Sequence, residues 1–124
     1  MTSKIILITE GNKSSVDSIY HYLIEHGYET LIANDSVDGF DLVRKEKPDL
    51  VLIDAVLSGF NGYQICSLLK FDIKYEDIVV VILSDSDGNK YQQLAKNSGA
   101  DGILVKPIDL NELMGIVKSL NLIE

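Results

Sequence analysis

The segment Ile78-Val-Val-Val-Ile-Leu83 is the strongest strand signal in the chain, and the fold can be inferred outward from it. Its six residues are all apolar and five are β-branched, a composition that favours a β-strand over a helix. No polar residue alternates with the apolar ones, so both faces of this strand should be covered by other elements. Shorter runs of the same kind recur at residues 5–8, 30–33, 50–53 and 102–105.

Amphipathic segments separate these predicted strands. Spacings of three and four residues predict a first helix that stops at Gly27, with the apolar positions Val16, Ile19, Tyr20, Leu23 and Ile24. Similar patterns predict helices over about 36–47, 62–70, 89–98 and from 109 onward, the last with the apolar face Leu110, Leu113, Val117 and Leu120. Doubly covered strands alternating with helices indicate an α/β fold. We expect a single doubly wound (βα)5 domain, for which right-handed crossovers leave few sheet topologies. Among these we expect a flavodoxin-like parallel five-stranded sheet, order 2-1-3-4-5.

The composition limits the classes of partner. The 124 residues include 11 Lys and Arg against 19 Asp and Glu, a formal net charge of −8. This balance argues against direct nucleic acid binding, which needs clustered basic side chains. The only cysteine is Cys66, so we expect a reducing, cytoplasmic location. No apolar stretch approaches the roughly 20 residues of a membrane span, so we expect no membrane association.

Candidate site residues follow four of the five predicted strands. Glu10 follows the first, Asp54 the third, Ser84 the fourth and Lys106 the fifth. The carboxyl ends of parallel strands meet at one edge of the sheet, where such folds bind ligands, so these side chains should converge. They suit phosphoryl transfer to Asp54 as nucleophile, with Mg²⁺ held by carboxylates and a main-chain carbonyl. Lys106 and Ser84 would contact the remaining phosphoryl oxygens.

Six short motifs, taken in order, make the chain similar to the receiver domain of two-component response regulators over essentially its whole length. They are Ile5-Ile-Leu-Ile-Thr-Glu10, Asp49-Leu-Val-Leu-Ile-Asp54, Asn61-Gly62, Val80-Val-Ile-Leu-Ser84, Ser98-Gly-Ala-Asp101 and Val105-Lys-Pro107. The resemblance implies that residues 1–124 form one receiver domain, with Asp54 as phosphoacceptor and Ser84 as switch residue. It implies that the family's lysine is Lys106, followed by a proline that is usually preceded by a cis peptide.

The same resemblance implies a Mg²⁺-dependent signalling module rather than an enzyme. A histidine kinase or a phosphotransfer protein would donate the phosphoryl group. A downstream protein would bind the face formed by the fourth helix, the fifth strand and the fifth helix. A homodimer through the last elements stays open.

One departure from the family pattern affects the metal. The family has two adjacent acidic residues after the first strand, and the second, its direct Mg²⁺ ligand, is Gly11 here. The metal would keep Asp54 and the Val56 main-chain carbonyl, together with Glu10 or Asn12. We expect weaker Mg²⁺ binding because hard cations depend on charged oxygen ligands.

Two further departures affect signalling. The proline usual four residues after the phosphoacceptor is Ser58. The usual aromatic switch residue is Ile103, which argues against signalling by an aromatic rotamer. With Gly11, these departures leave open a degenerate pseudo-receiver that acts as a phosphorylation-independent protein-interaction module.

Other interpretations also compete at single positions. Glu10 could pair with Lys106 instead of serving a metal, and Gly11 could be a simple tight-turn glycine. A phosphatase of the dehalogenase type is disfavoured, because its second aspartate would fall on Val56. A dinucleotide site is disfavoured because no G-x-G-x-x-G follows the first strand.

Overall fold

The computed structural model describes residues 4–57 and 59–123, in which strands and helices alternate. The strands are β1 (Ile5–Thr9), β2 (Glu29–Ala33), β3 (Leu50–Asp54), β4 (Val79–Ser84) and β5 (Gly102–Val105). The helices are α1 (Lys13–Glu25), α2 (Ser36–Glu46), α3 (Gly62–Lys70), α4 (Asn89–Asn97) and α5 (Leu110–Ile123). All strand pairs are parallel and the sheet order is β2-β1-β3-β4-β5. The predicted doubly wound α/β fold and its strand order are confirmed.

Apolar side chains fill a layer on each face of the sheet, as the continuous strand runs predict. One layer is covered by α1 and α5, which contribute Val16, Ile19, Leu23, Leu113, Met114 and Val117. The other is covered by α2, α3 and α4, which contribute Val43, Ile65, Cys66, Leu69 and Ala95. Each large apolar side chain buried in this way stabilises the fold by roughly 1.5–3 kcal/mol. Cys66 is therefore a core residue, as predicted.

Predicted boundaries hold to within one or two residues, and β4 shows why they differ. Ser84 joins the strand because its carbonyl accepts a hydrogen bond from the Lys106 N–H at 2.8 Å. Ile78, predicted to begin the strand, donates instead to the Tyr75 carbonyl in a turn. The predictions for Ser58 and for the Leu120 side chain lie outside the described residues. In the described part of the chain, no helix is long and apolar enough to cross a membrane.

Candidate functional site

The strand register brings the predicted site residues to the carboxyl edge of the sheet. Thr9 lies beside Ile53, so Glu10 emerges next to Asp54, the last residue of β3. Ser84 ends the neighbouring strand β4, and Lys106 directly follows β5. Strands β1 and β3 are adjacent and lead to connections on opposite sides of the sheet, which is the switch point where such folds bind ligands.

The ammonium of Lys106 lies between the two predicted carboxylates. Its Nζ donates a hydrogen bond to Asp54 Oδ2 at 2.7 Å and lies 2.9 Å from Glu10 Oε1. A third carboxylate, Asp85, is 3.9 Å away, but its side chain is 75% exposed, so solvent screens this pair. The structure thus brings together Glu10, Asp54 and Lys106, and it contains the Glu10–Lys106 pairing that the sequence left open.

Burial sets the electrostatics of this cluster. The Glu10 side chain is 0% exposed, and no residue in the described ranges gives either carboxylate oxygen a well-aligned hydrogen bond. Burial raises the pKa of Glu10, while the Lys106 ammonium lowers it and the neighbouring Asp54 raises it. Burial lowers the pKa of Lys106, but its contacts with Asp54 and Glu10 raise it more, so it stays above its ordinary value. Lys106 is therefore the counter-charge that both carboxylates share.

Main-chain geometry fixes the Asp54 carboxylate. Its Oδ1 accepts a hydrogen bond from the Val56 N–H at 3.0 Å, and its Oδ2 accepts from Lys106. The first residue of α3, Gly62, packs on the Asp54 main chain so closely that an added Cβ would overlap the Asp54 carbonyl oxygen. A glycine at position 62 therefore allows α3 to begin directly beneath the candidate phosphoacceptor.

Ser84 is at the site, but its hydroxyl is engaged elsewhere. The Oγ–H donates to the Ser86 carbonyl at 2.7 Å, and Oγ accepts from the Ser86 N–H at 3.2 Å. The residue is 1% exposed. In this state the structure does not bring the hydroxyl into the cluster of Asp54 and Lys106. The Lys106–Pro107 peptide is cis, as the family resemblance implies.

The donor set can be tested against Mg²⁺ on its chemistry. Among residues 4–57 and 59–123, no group of three or more His, Cys, Asp or Glu is arranged to hold a metal ion. Glu10 and Asp54 nevertheless supply hard carboxylate oxygens, the ligands that Mg²⁺ prefers. The buried Glu10 carboxylate has an ion pair with Lys106 but no well-aligned hydrogen-bond donor among the described residues, so a metal ion could contact it as well. Asn12 already caps α1 by accepting from the Ser15 N–H. The residues fit Mg²⁺ with two charged ligands, and Glu10 is favoured over Asn12.

Position 11 can accommodate a side chain. The φ angle of Gly11 lies outside the left-handed region. An added Cβ would meet only the Asn34 carbonyl oxygen, at the ordinary contact distance of 3.7 Å. The tight-turn explanation for this glycine is therefore not supported, because the local backbone does not require one.

Two residues near the cluster were not singled out by the sequence analysis. One is Asp85, and its position directly after Ser84 was the available signal. The other is Tyr63, which directly follows Gly62. In the structure its hydroxyl is buried, and this burial raises the pKa of Tyr63.

Comparison with protein families identifies the family of this chain. Residues 6–118 match the family model described as the response regulator receiver domain. The chain belongs to this family. Receiver domains are signalling modules of two-component systems, which pair them with histidine kinases or phosphotransfer proteins.

Individual relatives agree with this assignment. The receiver domain is 34% identical over 114 residues to PilH of Pseudomonas aeruginosa, covering 92% of this chain and 94% of PilH. The receiver domain of a DNA-binding response regulator from Colwellia psychrerythraea 34H matches with a TM-score of 0.89 and 26% identity, covering 95% and 98% of the two chains. The fold also matches a putative response regulator from Chloroflexus aurantiacus J-10-fl, with a TM-score of 0.90, 22% identity and coverage of 96% and 98%.

Proposed function

We propose that this receiver domain accepts a phosphoryl group on Asp54 from a histidine kinase or phosphotransfer protein and then changes its protein-binding surface. The observation that supports this proposal best is the ion pair between Lys106 Nζ and Asp54 Oδ2, which are 2.7 Å apart at the carboxyl edge of the sheet. The carboxylate is anchored on both oxygens, yet its side chain remains 9% exposed. It is therefore positioned for reaction and still accessible to a donor.

The transfer step needs positioning and charge compensation more than acid–base chemistry. A carboxylate oxygen of Asp54 attacks the phosphorus of a phosphohistidine, in line with the P–N bond. The P–O bond forms as the P–N bond breaks, and the electron pair of that bond leaves with the imidazole nitrogen, which takes a proton from solvent. Lys106, already beside the carboxylate, compensates the charge on the phosphoryl oxygens.

Glu10, Asp54 and the Val56 main-chain carbonyl would hold Mg²⁺ at this site. When bound, the ion supplies positive charge that neutralises phosphoryl oxygens. Its affinity is expected to be low because Gly11 contributes no carboxylate.

The output step of the proposal begins at Ser84. Its hydroxyl leaves Ser86 and donates to the phosphoryl group on Asp54, which biases the surface formed by α4, β5 and α5 between two arrangements. A downstream protein, or a second copy of the chain, would read that surface. The proposal is of a cytoplasmic signalling module rather than an enzyme, with no direct nucleic acid or membrane contact.

Intact-mass analysis tests the proposal. The protein is incubated with acetyl phosphate, with and without Mg²⁺, beside the Asp54→Asn variant. One phosphoryl adduct is expected on the wild type and none on the variant, with more adduct when Mg²⁺ is present. An adduct that persists in Asp54→Asn would show that the acceptor has been misassigned.

A pseudo-receiver is the second candidate, and two observations favour it. Gly11 removes a metal ligand that the backbone could have accommodated. The Lys106 ammonium already pairs with both remaining carboxylates, so the cluster depends less on a metal ion. If Asp54 takes no phosphoryl group from acetyl phosphate or from a histidine kinase while the fold is intact, this candidate replaces the first.

A further inference from the structure

The carboxylate of Asp85 lies beside the ion-pair cluster, and the transfer step described above does not use it. Its Oδ1 is 3.9 Å from the Lys106 Nζ, and the same nitrogen is 2.7 Å from Asp54 Oδ2. The two carboxylate oxygens are therefore within about 7 Å of each other, which is inside the Debye length of roughly 8 Å at physiological ionic strength. The charge of Asp85 thus acts on the phosphoacceptor, although solvent weakens it.

Exposure distinguishes Asp85 from the two acids of the cluster. Glu10 and Asp54 are buried, whereas the Asp85 side chain is 75% exposed. Asp85 is therefore the carboxylate that a phosphodonor arriving from solvent meets beside Lys106. With Asp85 counted, three carboxylates surround one ammonium, and two negative charges are left uncompensated around the acceptor.

The charge of the phosphodonor decides how strongly Asp85 opposes its approach, because Coulomb repulsion grows with the product of the two charges. A unit charge about 7 Å away in a water-like dielectric changes a rate roughly two- to threefold per unit of donor charge at low ionic strength. Acetyl phosphate carries two negative charges at pH 7. Phosphoramidate carries a net charge of one, because its nitrogen is protonated beside the phosphoryl group.

We propose that Asp85 is a specificity-determining residue that disfavours small phosphodonors of high negative charge and favours donors with a cationic group beside the phosphoryl group. The inference rests on the phosphorylation of Asp54 proposed above. An Asp54 oxygen bonds to phosphorus with either donor. With acetyl phosphate the P–O bond to the acetyl group breaks and its electron pair leaves with acetate, and with phosphoramidate the P–N bond breaks and its electron pair leaves with ammonia. Asp85 exchanges no proton in either reaction and acts through its charge alone.

Rates of adduct formation with these two donors test the inference. Intact-mass analysis of the full chain follows the adduct in wild type, Asp85→Asn and Asp85→Lys, at one Mg²⁺ concentration and low ionic strength. Asp85→Asn is expected to raise the initial rate roughly fivefold with acetyl phosphate and roughly twofold with phosphoramidate. Asp85→Lys should raise the ratio of the two rates further. At about 1 M ionic strength, where the Debye length is about 3 Å, the ratios of the three proteins should converge.

The ratio of the two rates within one protein is the readout, because a change in Mg²⁺ binding or in folded fraction affects both donors alike. Asp87→Asn is the matched control. It removes the same charge from an exposed position of the same loop, and Asp87 is not one of the three carboxylates paired with Lys106. Its ratio should stay close to that of the wild type.

The outcomes separate the two proposals. An adduct on Asp54 with an unchanged ratio in Asp85→Asn, or with an equal change in Asp87→Asn, overturns the role of Asp85 and leaves the proposed function standing. A ratio in Asp85→Asn that is insensitive to salt also overturns it, because a charge effect must be screened. Absence of an adduct with both donors in every protein refutes the proposed function, and the role of Asp85 is refuted with it.

Discussion

Replacing Lys106 by methionine tests how the site is held together in its resting state. The substitution keeps the length and apolar stem of the side chain and removes the shared counter-charge. It leaves the Glu10 side chain, 0% exposed, beside the Asp54 side chain, 9% exposed, with no cation within ion-pairing distance among the described residues. The formal charge of the cluster changes from −1 to −2. We expect a large loss of stability for a single substitution.

The size of the loss follows from burial. Removing one partner of a fully buried ion pair costs about 3–5 kcal/mol, and we take about 3 kcal/mol because Lys106 is 19% exposed. With a typical urea m-value of about 1.5 kcal/mol/M, the unfolding midpoint should fall by about 2 M. Urea unfolding followed by circular dichroism at pH 7 measures this. Lys96→Met, at an exposed position of α4, is the control and should change the free energy of unfolding by at most about 0.5 kcal/mol.

The pH dependence separates lost charge from lost packing. The pKa of Glu10 in the folded protein is above 4.5, and losing Lys106 raises it further because the ammonium lowers it. A group with a raised folded pKa contributes stability that is complete below its unfolded pKa and is lost as the pH rises through the folded value. The part of the difference between Lys106→Met and wild type that comes from Glu10 should therefore grow as the pH rises above 4.5, the ordinary pKa of this carboxyl group. The reasoning is refuted if Lys106→Met costs under about 1 kcal/mol at pH 7, or if adding Glu10→Gln restores nothing.

Three further substitutions test other parts of the site. Gly11→Asp should raise the Mg²⁺ affinity roughly tenfold, because the backbone accepts a side chain at position 11 and the aspartate adds a charged ligand. Calorimetric titration with MgCl₂ measures this affinity, and an unchanged value contradicts the prediction. Gly62→Ala should lower the free energy of unfolding in urea by about 1–3 kcal/mol, because the added Cβ would overlap the Asp54 carbonyl oxygen. Gly115→Ala is the control and should be neutral or stabilising, since the space around its Cβ is open. Equal effects of the two substitutions would argue against the close approach of Gly62 to Asp54. Asp85→Asn should change the free energy of unfolding by under about 0.5 kcal/mol, since its pair with Lys106 is exposed to solvent, and a larger loss would show that Asp85 belongs to the cluster.

The sequence predicts the fold well because one strong signal repeats along the chain. A β-strand that is apolar on every residue has to be covered on both faces. Five such strands separated by amphipathic helices are buried in this way when they form a parallel sheet between two layers of helices. The convergence of Glu10, Asp54 and Lys106 follows from that inference alone. Each of them lies at the carboxyl end of a strand, and the register of a parallel sheet then leaves little freedom in where they meet.

The contacts among these side chains could not be predicted in the same way. Whether Lys106 contacts Glu10, Asp54 or both depends on differences of about an ångström in the main chain, which periodicity does not encode. The importance of Gly62 also needs coordinates, because its close approach to the Asp54 carbonyl is a contact between two elements. Tyr63 could not be singled out because its ring fits the apolar packing pattern, and the burial of its hydroxyl is visible only in coordinates.

Gly11 and the Lys106 ion pairs are two parts of one electrostatic arrangement. With Glu10 and Asp54 as the buried acids, one ammonium leaves the cluster at −1, whereas a carboxylate at position 11 would leave it at −2. The electrostatic attraction for a divalent cation is therefore weaker here than with a carboxylate at position 11, because attraction grows with the negative charge of the site. The resting cluster also depends less on such a cation for charge compensation. If Asp54 is phosphorylated, Lys106 must then supply a larger share of the compensation for the phosphoryl oxygens. Phosphorylation should accordingly depend less steeply on Mg²⁺ in this chain than in the Gly11→Asp variant.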